Sequence, residues 1–249
     1  MWNDLPTPIV IGHRGDKLYS PENTLSSFKQ AAEKGADAIE FDVKLTADRQ
    51  VIVLHDQKVD RTTNGSGNVA KLSLEAIKQY DAGIQFPGKF PNEKIPTLEE
   101  VFETFGKKLC MNVELTNYRT PFDGLVTKVA ELVKKHGMEN QILFSSFFPP
   151  NLKMVGAHLP GTPRALLTIP GLLGYWGRSF GWRRNYDGLN PHFTDLDAGL
   201  VNRVHATGKR VNAWTVTNEI DIKRMIELGV DGIITGDPAL TLHMLGRNK

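Results

Sequence analysis

A chain of 249 residues with one cysteine, Cys110, cannot close a disulfide within itself. That thiol sits in the apolar run LCMNVEL, where a packed side chain rather than a nucleophile is the expected reading. An excess of charge of one sign is also lacking. Thirty basic against 28 acidic side chains leave a formal net charge of +2, too little to call for a nucleic-acid partner, so electrostatic recognition must be local. No apolar run approaches the ~18 residues of a membrane helix, and the opening MWNDLPTPIV has no basic region followed by a long apolar stretch. A soluble, cytoplasmic protein is expected. With no repeat, low-complexity tract or linker, there is no boundary to draw, and residues 1–249 are expected to form a single domain.

What the chain does have is alternation. Eight short apolar runs, PIVIGH, DAIEFDV, LCMNVEL, QILFSSF, RALLTI, DGLNPHF, RVNAWTV and DGIITG, read as buried strands. Between many of them lie amphipathic stretches, at residues 22–34, 97–105, 123–136, 198–207 and 219–228. Strand alternating with helix calls for a parallel sheet, and eight such units close a TIM (β/α)8 barrel. The first helix is expected to start with Ser20 as N-cap and Pro21 at the first helical position, to bury Leu25, Phe28 and Ala32, and to stop at Gly35. The last is expected to open at TNEID, turn Ile222, Met225, Ile226 and Leu228 inward, and stop at Gly229.

VIVLHD, residues 51–56, breaks the pattern. It follows AIEFDVKL after only TADRQ, with no room for a crossover helix, so it cannot be another parallel strand. An antiparallel hairpin arm, turning near residues 47–49, is predicted instead, with a loop insertion after the second strand. Folding the chain back there brings His55 beside Asp42 and near Glu40.

The C-terminal ends of barrel strands are the expected active-site positions, and polar residues collect there. The first strand ends in His13 and Arg14, the second carries Glu40 and Asp42 on one face, the hairpin returns His55, and the third ends with Glu114. Three carboxylates converging in a barrel mouth repel one another unless a positive charge lies among them. One divalent metal ion, Mg2+ or Ca2+, fits an all-oxygen donor set; salt bridges to Lys44 or Arg14 are the structural alternative. His13 and His55 suit an acid and a base near neutral pH. Arg14 adds a permanently charged fork matched to phosphate oxygens, with Gly12 and Gly15 allowing close backbone approach. Glu22 is either an orienting group or a first-turn acid favouring the helix dipole. His192, after the sixth strand, and Trp214, in core or pocket wall, are further candidates.

At these residues the chain resembles the glycerophosphodiester phosphodiesterase family. The matching pieces run in order along it: GHRG, PENTLSSF, GADAIEFDVKLTAD, VIVLHD, RTTNGSG, IPTLEEV, NVEL, AWTV and GIITGDP. The resemblance implies a TIM barrel and metal-dependent hydrolysis of a small glycerophosphodiester to an alcohol and sn-glycerol 3-phosphate. It implies His13 and His55 as the catalytic pair, Glu40, Asp42 and Glu114 as metal ligands, and Arg14 as the phosphoryl grip; Trp214, if it walls the pocket, is expected as a second substrate-binding residue. Many family members carry a lysine two residues after the third-strand glutamate. This chain has Thr116 there, and Lys44 or Arg119 is expected to replace the charge.

Residues 164–184, RALLTIPGLLGYWGRSFGWRR, mix Gly, aromatic and apolar residues with arginines. They suggest a loop over the mouth that either packs on the barrel or makes peripheral contact with a lipid chain or membrane surface. Rival readings are therefore a lysophospholipase D-type hydrolase of lysophospholipids and a non-catalytic phosphodiester-binding barrel. Neither oligomeric state nor head-group preference is encoded in these patterns.

Overall fold

The structure, a computed structural model, describes residues 2–106, 108–181 and 186–247. Eight parallel strands close a ring in the order β1 (Ile9–His13), β2 (Ala38–Leu45), β4 (Cys110–Leu115), β5 (Ile142–Ser146), β6 (Arg164–Thr168), β7 (Gly188–Pro191), β8 (Arg210–Val216) and β9 (Gly232–Thr235), which returns to β1. The short arm β3 (Val51–Val53) pairs antiparallel with β2, Val43 opposite Val53 and Leu45 opposite Val51. This is the TIM barrel with an added hairpin arm that the sequence predicts. β2 is the longest strand because its lower half pairs with β1 and its upper half with β3. The end of β1 and the residues after β3 thus lie close to one carboxylate-bearing strand.

An outer ring is formed by α1 (Leu25–Glu33), α3 (Leu98–Phe105), α4 (Leu125–His136), α5 (Pro149–His158), α6 (Tyr175–Ser179), α7 (Ala198–His205), α8 (Glu219–Leu228) and α9 (Pro238–Met244), with α2 (Leu74–Gln79) in the insertion after β3. Outward strand residues pack on the helices: Phe41, Val43 and Val113 meet Phe28, Val101 and Val129, while Val211 and Ile233 meet Ile222 and Met225. The first-helix residues Leu25 and Ala32 are half-buried against the same core.

Inside the barrel, chemistry changes with height. Along β4, alternate residues run Cys110, Asn112, Glu114, from an apolar floor shared with Ile11, Leu143 and Ile234 to an acidic top. Burial pushes the Cys110 thiol up to about 11, which fits its expected role as packing.

Two helix expectations need correction. The first helix is capped by Thr24, which accepts a hydrogen bond from the Ser27 N–H, and not by Ser20, whose hydroxyl donates to the Asp16 carbonyl at 2.9 Å. Asn23 adopts a left-handed φ of 59°, which no helix accommodates, and its amide donates to Asp42 at 3.0 Å. Glu22 and Asn23 therefore bond to Arg14 and Asp42 instead of joining the helix. At the other end of the chain, α9 follows α8. Asp237 caps it and Pro238 occupies its first turn, so α9, and not residues 219–228, is the last helix. No helix among the described residues is long and apolar enough to cross a membrane. Arg183 and Arg184, part of the segment expected to meet lipid, lie outside the described residues.

Candidate active site

β1 ends in a tight reversal. The Gly15 N–H donates to the Gly12 carbonyl at 3.1 Å, and Arg14 between them takes a left-handed φ of 55°. Gly15, at φ 87°, lies so close to α1 that a Cβ would meet the Ser27 side chain at 2.3 Å. The glycines therefore serve close packing of this turn on α1. With the turn fixed, the Arg14 N–H donates to both the carbonyl (2.8 Å) and the carboxylate (3.1 Å) of Glu40.

Strand register lines up the rest. His13 is level with Glu40, Asp42 is level with Glu114, and the Leu54 N–H donates to the Asp42 carbonyl at 3.0 Å, which carries His55 to the same end of the barrel. One oxygen from each of Glu40, Asp42 and Glu114 lies within 4.8 Å of the others. Each acid is held by neighbours: Asp42 by Asn23 and by Arg14 Nε at 3.4 Å, Glu114 by the Tyr118 hydroxyl at 2.8 Å, and Glu40 by the Arg14 backbone. Burial, reinforced by the adjoining carboxylates, raises Glu40 well above the ordinary carboxylate range. The same causes, burial and then Asp42, push Glu114 up to about 8. Glu40 Oε1 is buried without a hydrogen-bond partner. Three convergent hard donors, repelling one another and incompletely satisfied, fit a hard cation.

The histidines are held differently. His13 Nδ1 lies 2.7 Å from Lys17 Nζ and 3.3 Å from the Thr215 hydroxyl, and its Nε2 is 3.7 Å from Glu40. Burial, followed by the charges of Arg14 and Lys17, keeps the ring well below the usual histidine range, so it is neutral at pH 7. An ammonium donating to Nδ1 assigns the ring proton to Nε2. His55 instead meets Asp56 at 2.6 Å through Nδ1, which leaves Nε2 for exchange. Asp56 and Glu22 both receive Arg61, at 2.6 and 2.7 Å, and Glu22 also receives Arg14 at 2.9 Å. A continuous chain of paired groups thus links the segments that carry His13 and His55.

Every predicted site residue reaches this mouth. His13, Glu40, Glu114 and Trp214 line one small cavity with Asn112, Ser145, Leu167 and Ile234. Trp214 is half-buried, donates to the Asn190 carbonyl at 2.8 Å, and packs edge-on against Phe147 and His192, which makes it pocket wall. His192 bonds to Thr194 on the rim. Lys44 donates to the Thr116 carbonyl and hydroxyl at 3.0 and 2.9 Å, so it, and not the exposed Arg119, brings a positive charge beside the Thr116 position. Lys17, Asn23, Asp56, Arg61 and Tyr118 were not singled out from sequence. Asn23, Asp56 and Arg61 sit inside the motifs PENTLSSF, VIVLHD and RTTNGSG, which was the available signal. Larger concavities at the opposite end of the barrel, near Trp2 and Asn212, and between α1 and α3 hold no comparable acidic cluster among the described residues.

Comparison with known proteins places this geometry among relatives. The glycerophosphoryl diester phosphodiesterase family matches residues 13–240. A glycerophosphodiester phosphodiesterase of Caldanaerobacter subterraneus subsp. tengcongensis is 41% identical over 238 residues, covering 95% of this chain and 97% of that protein. One from Bacillus subtilis is 33% identical, covering 93% and 84%. An Oleispira antarctica phosphodiesterase, solved in complex with the product sn-glycerol-3-phosphate, superposes with a TM-score of 0.87 at 29% identity, covering 98% of each chain.

Proposed function

The chain belongs to the glycerophosphoryl diester phosphodiesterase family and its activity is that of a glycerophosphodiester phosphodiesterase; from that premise we propose that it uses a divalent metal ion and the pair His13 and His55 to cleave small glycerophosphodiesters into an alcohol and sn-glycerol 3-phosphate. The observation that carries this reading is the convergence of Glu40, Asp42 and Glu114 within 4.8 Å, beside two histidines with different partners. The product in the Oleispira antarctica relative supports the substrate class.

When bound by Glu40, Asp42 and Glu114, a hard ion such as Mg2+ or Ca2+ supplies neutralising charge and polarises a phosphoryl oxygen. Arg14, whose side chain is 14% exposed, retains access for a phosphoryl oxygen while Glu22 and Asp42 hold its fork. His55, oriented through Nδ1 by Asp56, accepts at Nε2 the proton of the attacking oxygen, either water or the glycerol hydroxyl next to the ester. His13 gives its Nε2 proton to the departing alcohol oxygen as Lys17 passes a proton to Nδ1. Burial, then the charge of Arg14, lowers the Lys17 pKa and so favours that transfer. The new P–O bond forms as the bond to the alcohol breaks; where the glycerol hydroxyl attacks, the product is a cyclic phosphate, which water then opens to sn-glycerol 3-phosphate with the two histidines exchanging roles. Trp214 forms the apolar wall of the pocket, and Lys44 strengthens the positive field near Glu114 in place of a lysine at 116.

Following glycerophosphocholine and glycerophosphoethanolamine by 31P NMR, without metal and then with Mg2+ or Ca2+ restored, tests the reading. Release of sn-glycerol 3-phosphate that stops with EDTA and returns with one of the ions is expected. Undiminished release by protein stripped of metal would overturn the metal's role.

A further inference from the structure

The barrel has a second concave end. At its base, opposite the acidic cluster, a cavity of about 400 Å3 opens beside the first residues of β6, β7 and β8. The lower interior of such a barrel is ordinarily filled by bulky branched side chains. Here Ala165 on β6 and Gly188 on β7 bring little volume, and the cavity takes the space they leave, with Leu143 and the buried indole of Trp2 as further walls. On β8 the cavity reaches Asn212, which is 2% exposed. The Asn212 amide N–H donates to Asn190 Oδ1 at 2.9 Å, but its carbonyl oxygen has no hydrogen-bond partner among the described residues. Gly232 makes room for that oxygen, since a Cβ there would stand 2.3 Å from it. A leucine or valine at 212 would continue the apolar floor of Cys110, Leu143 and Ile234, whereas an amide left short of a donor destabilises the fold. A ligand that brings a hydroxyl group to Asn212 accounts for the amide.

The rim sets the charge of that ligand. Among the described residues it carries two cations, Lys209 and Arg210, and one acid, Asp187. The Asp187 carboxylate is 57% exposed and already accepts the Arg164 N–H at 2.9 Å. Burial lowers the Lys209 pKa even beside Asp187, so an anion bound next to it is favoured. An ammonium and a guanidinium side by side suit the oxygens of a phosphate, and the volume is in the range of small-molecule sites. We propose that the basal cavity is a second ligand site, separate from the phosphodiesterase site, for a small hydroxylated phosphomonoester, with its phosphate at Lys209 and Arg210 and its hydroxyl groups toward Asn212. Sugar phosphates and sn-glycerol 3-phosphate, the reaction's own product, share this chemistry.

The test is calorimetric titration of the full chain, with Mg2+ present, using glucose 6-phosphate, sn-glycerol 3-phosphate and inorganic phosphate. Binding needs no turnover, so the result stands apart from the hydrolysis. At least one of the two esters should bind about tenfold or more tightly than inorganic phosphate, and the ester that does so distinguishes sugar phosphate from product. That binding should weaken about tenfold or more in Lys209→Glu and less in Lys209→Gln, which removes the charge without reversing it. It should persist in Arg14→Ala, where phosphate binding at the acidic cluster is impaired. Inorganic phosphate binding as tightly as both esters would overturn the role of Asn212. Absence of binding, or binding that is lost in Arg14→Ala and indifferent to the charge at 209, would overturn the site.

Discussion

Replacing Glu22 by Gln keeps the shape of the side chain and removes its charge, at the point where Arg14 and Arg61 meet. Burial alone would raise this carboxyl, but hydrogen bonds and charge from Arg61 and Arg14 outweigh it and hold it at about 2 against an ordinary 4.5. The sign follows from linkage. A depressed carboxyl binds its proton later in the folded than in the unfolded chain, so its contribution is complete above about pH 4.5 and is lost as pH falls toward 2. The difference amounts to about 3 kcal/mol at pH 7 and about 2 kcal/mol at pH 3.5. Glu22 is only 12% exposed, but Arg61 at 42% is partly screened by solvent, which makes these upper values. Urea unfolding of the parent and Glu22→Gln in EDTA, from pH 7 to 3.5, gives the stability difference directly. Subtraction removes Glu40 and Glu114, whose raised values act in the opposite direction. A gap that narrows with acid supports the network; a gap below about 1 kcal/mol at pH 7, or one that does not change with pH, refutes it.

Other consequences are open to simpler assays. Asp56→Asn should lower kcat about 100-fold with KM nearly unchanged, because His55 loses the acceptor that orients it; equal effects on both constants would contradict a positioning role. Asn23→Ala, which frees Asp42, should weaken metal binding about 10–100-fold by calorimetry, and unchanged affinity would exclude that support. With a p-nitrophenyl ester of glycerol phosphate, whose leaving group needs no acid, His13→Ala should recover most of its turnover and His55→Ala should not. The reverse pattern would exchange the two roles. Cys110 should resist thiol reagents in the folded protein, since burial keeps its thiolate scarce; rapid labelling without unfolding would contradict its burial.

The barrel was legible because its signals are local. Each strand is a short apolar run, and the five residues between β2 and β3 leave only a hairpin. Glu40, Asp42 and Glu114 could be placed because pleat and strand order fix which side chains share a face and a height. Partners chosen across loops were not legible. Arg61 reaches Glu22 from 39 residues away, and Lys17 meets His13 within an irregular turn, where no periodicity points to a contact. Helix signals failed where the site took precedence: Ser20 and Pro21 look like a helix start, yet Glu22 and Asn23 are committed to Arg14, Arg61 and Asp42. Lys44 was visible as a possible replacement for a charge at 116, but only its bonds to Thr116 chose it over Arg119.

The most direct test of the central claim is single-turnover release of sn-glycerol 3-phosphate from glycerophosphocholine by the metal-loaded parent, His13→Ala and His55→Ala. An acid and a base acting together predict that each variant loses about 10²–10⁴-fold in rate while still binding the metal. A metal-loaded variant of either histidine that releases product at the parent rate would contradict the pair.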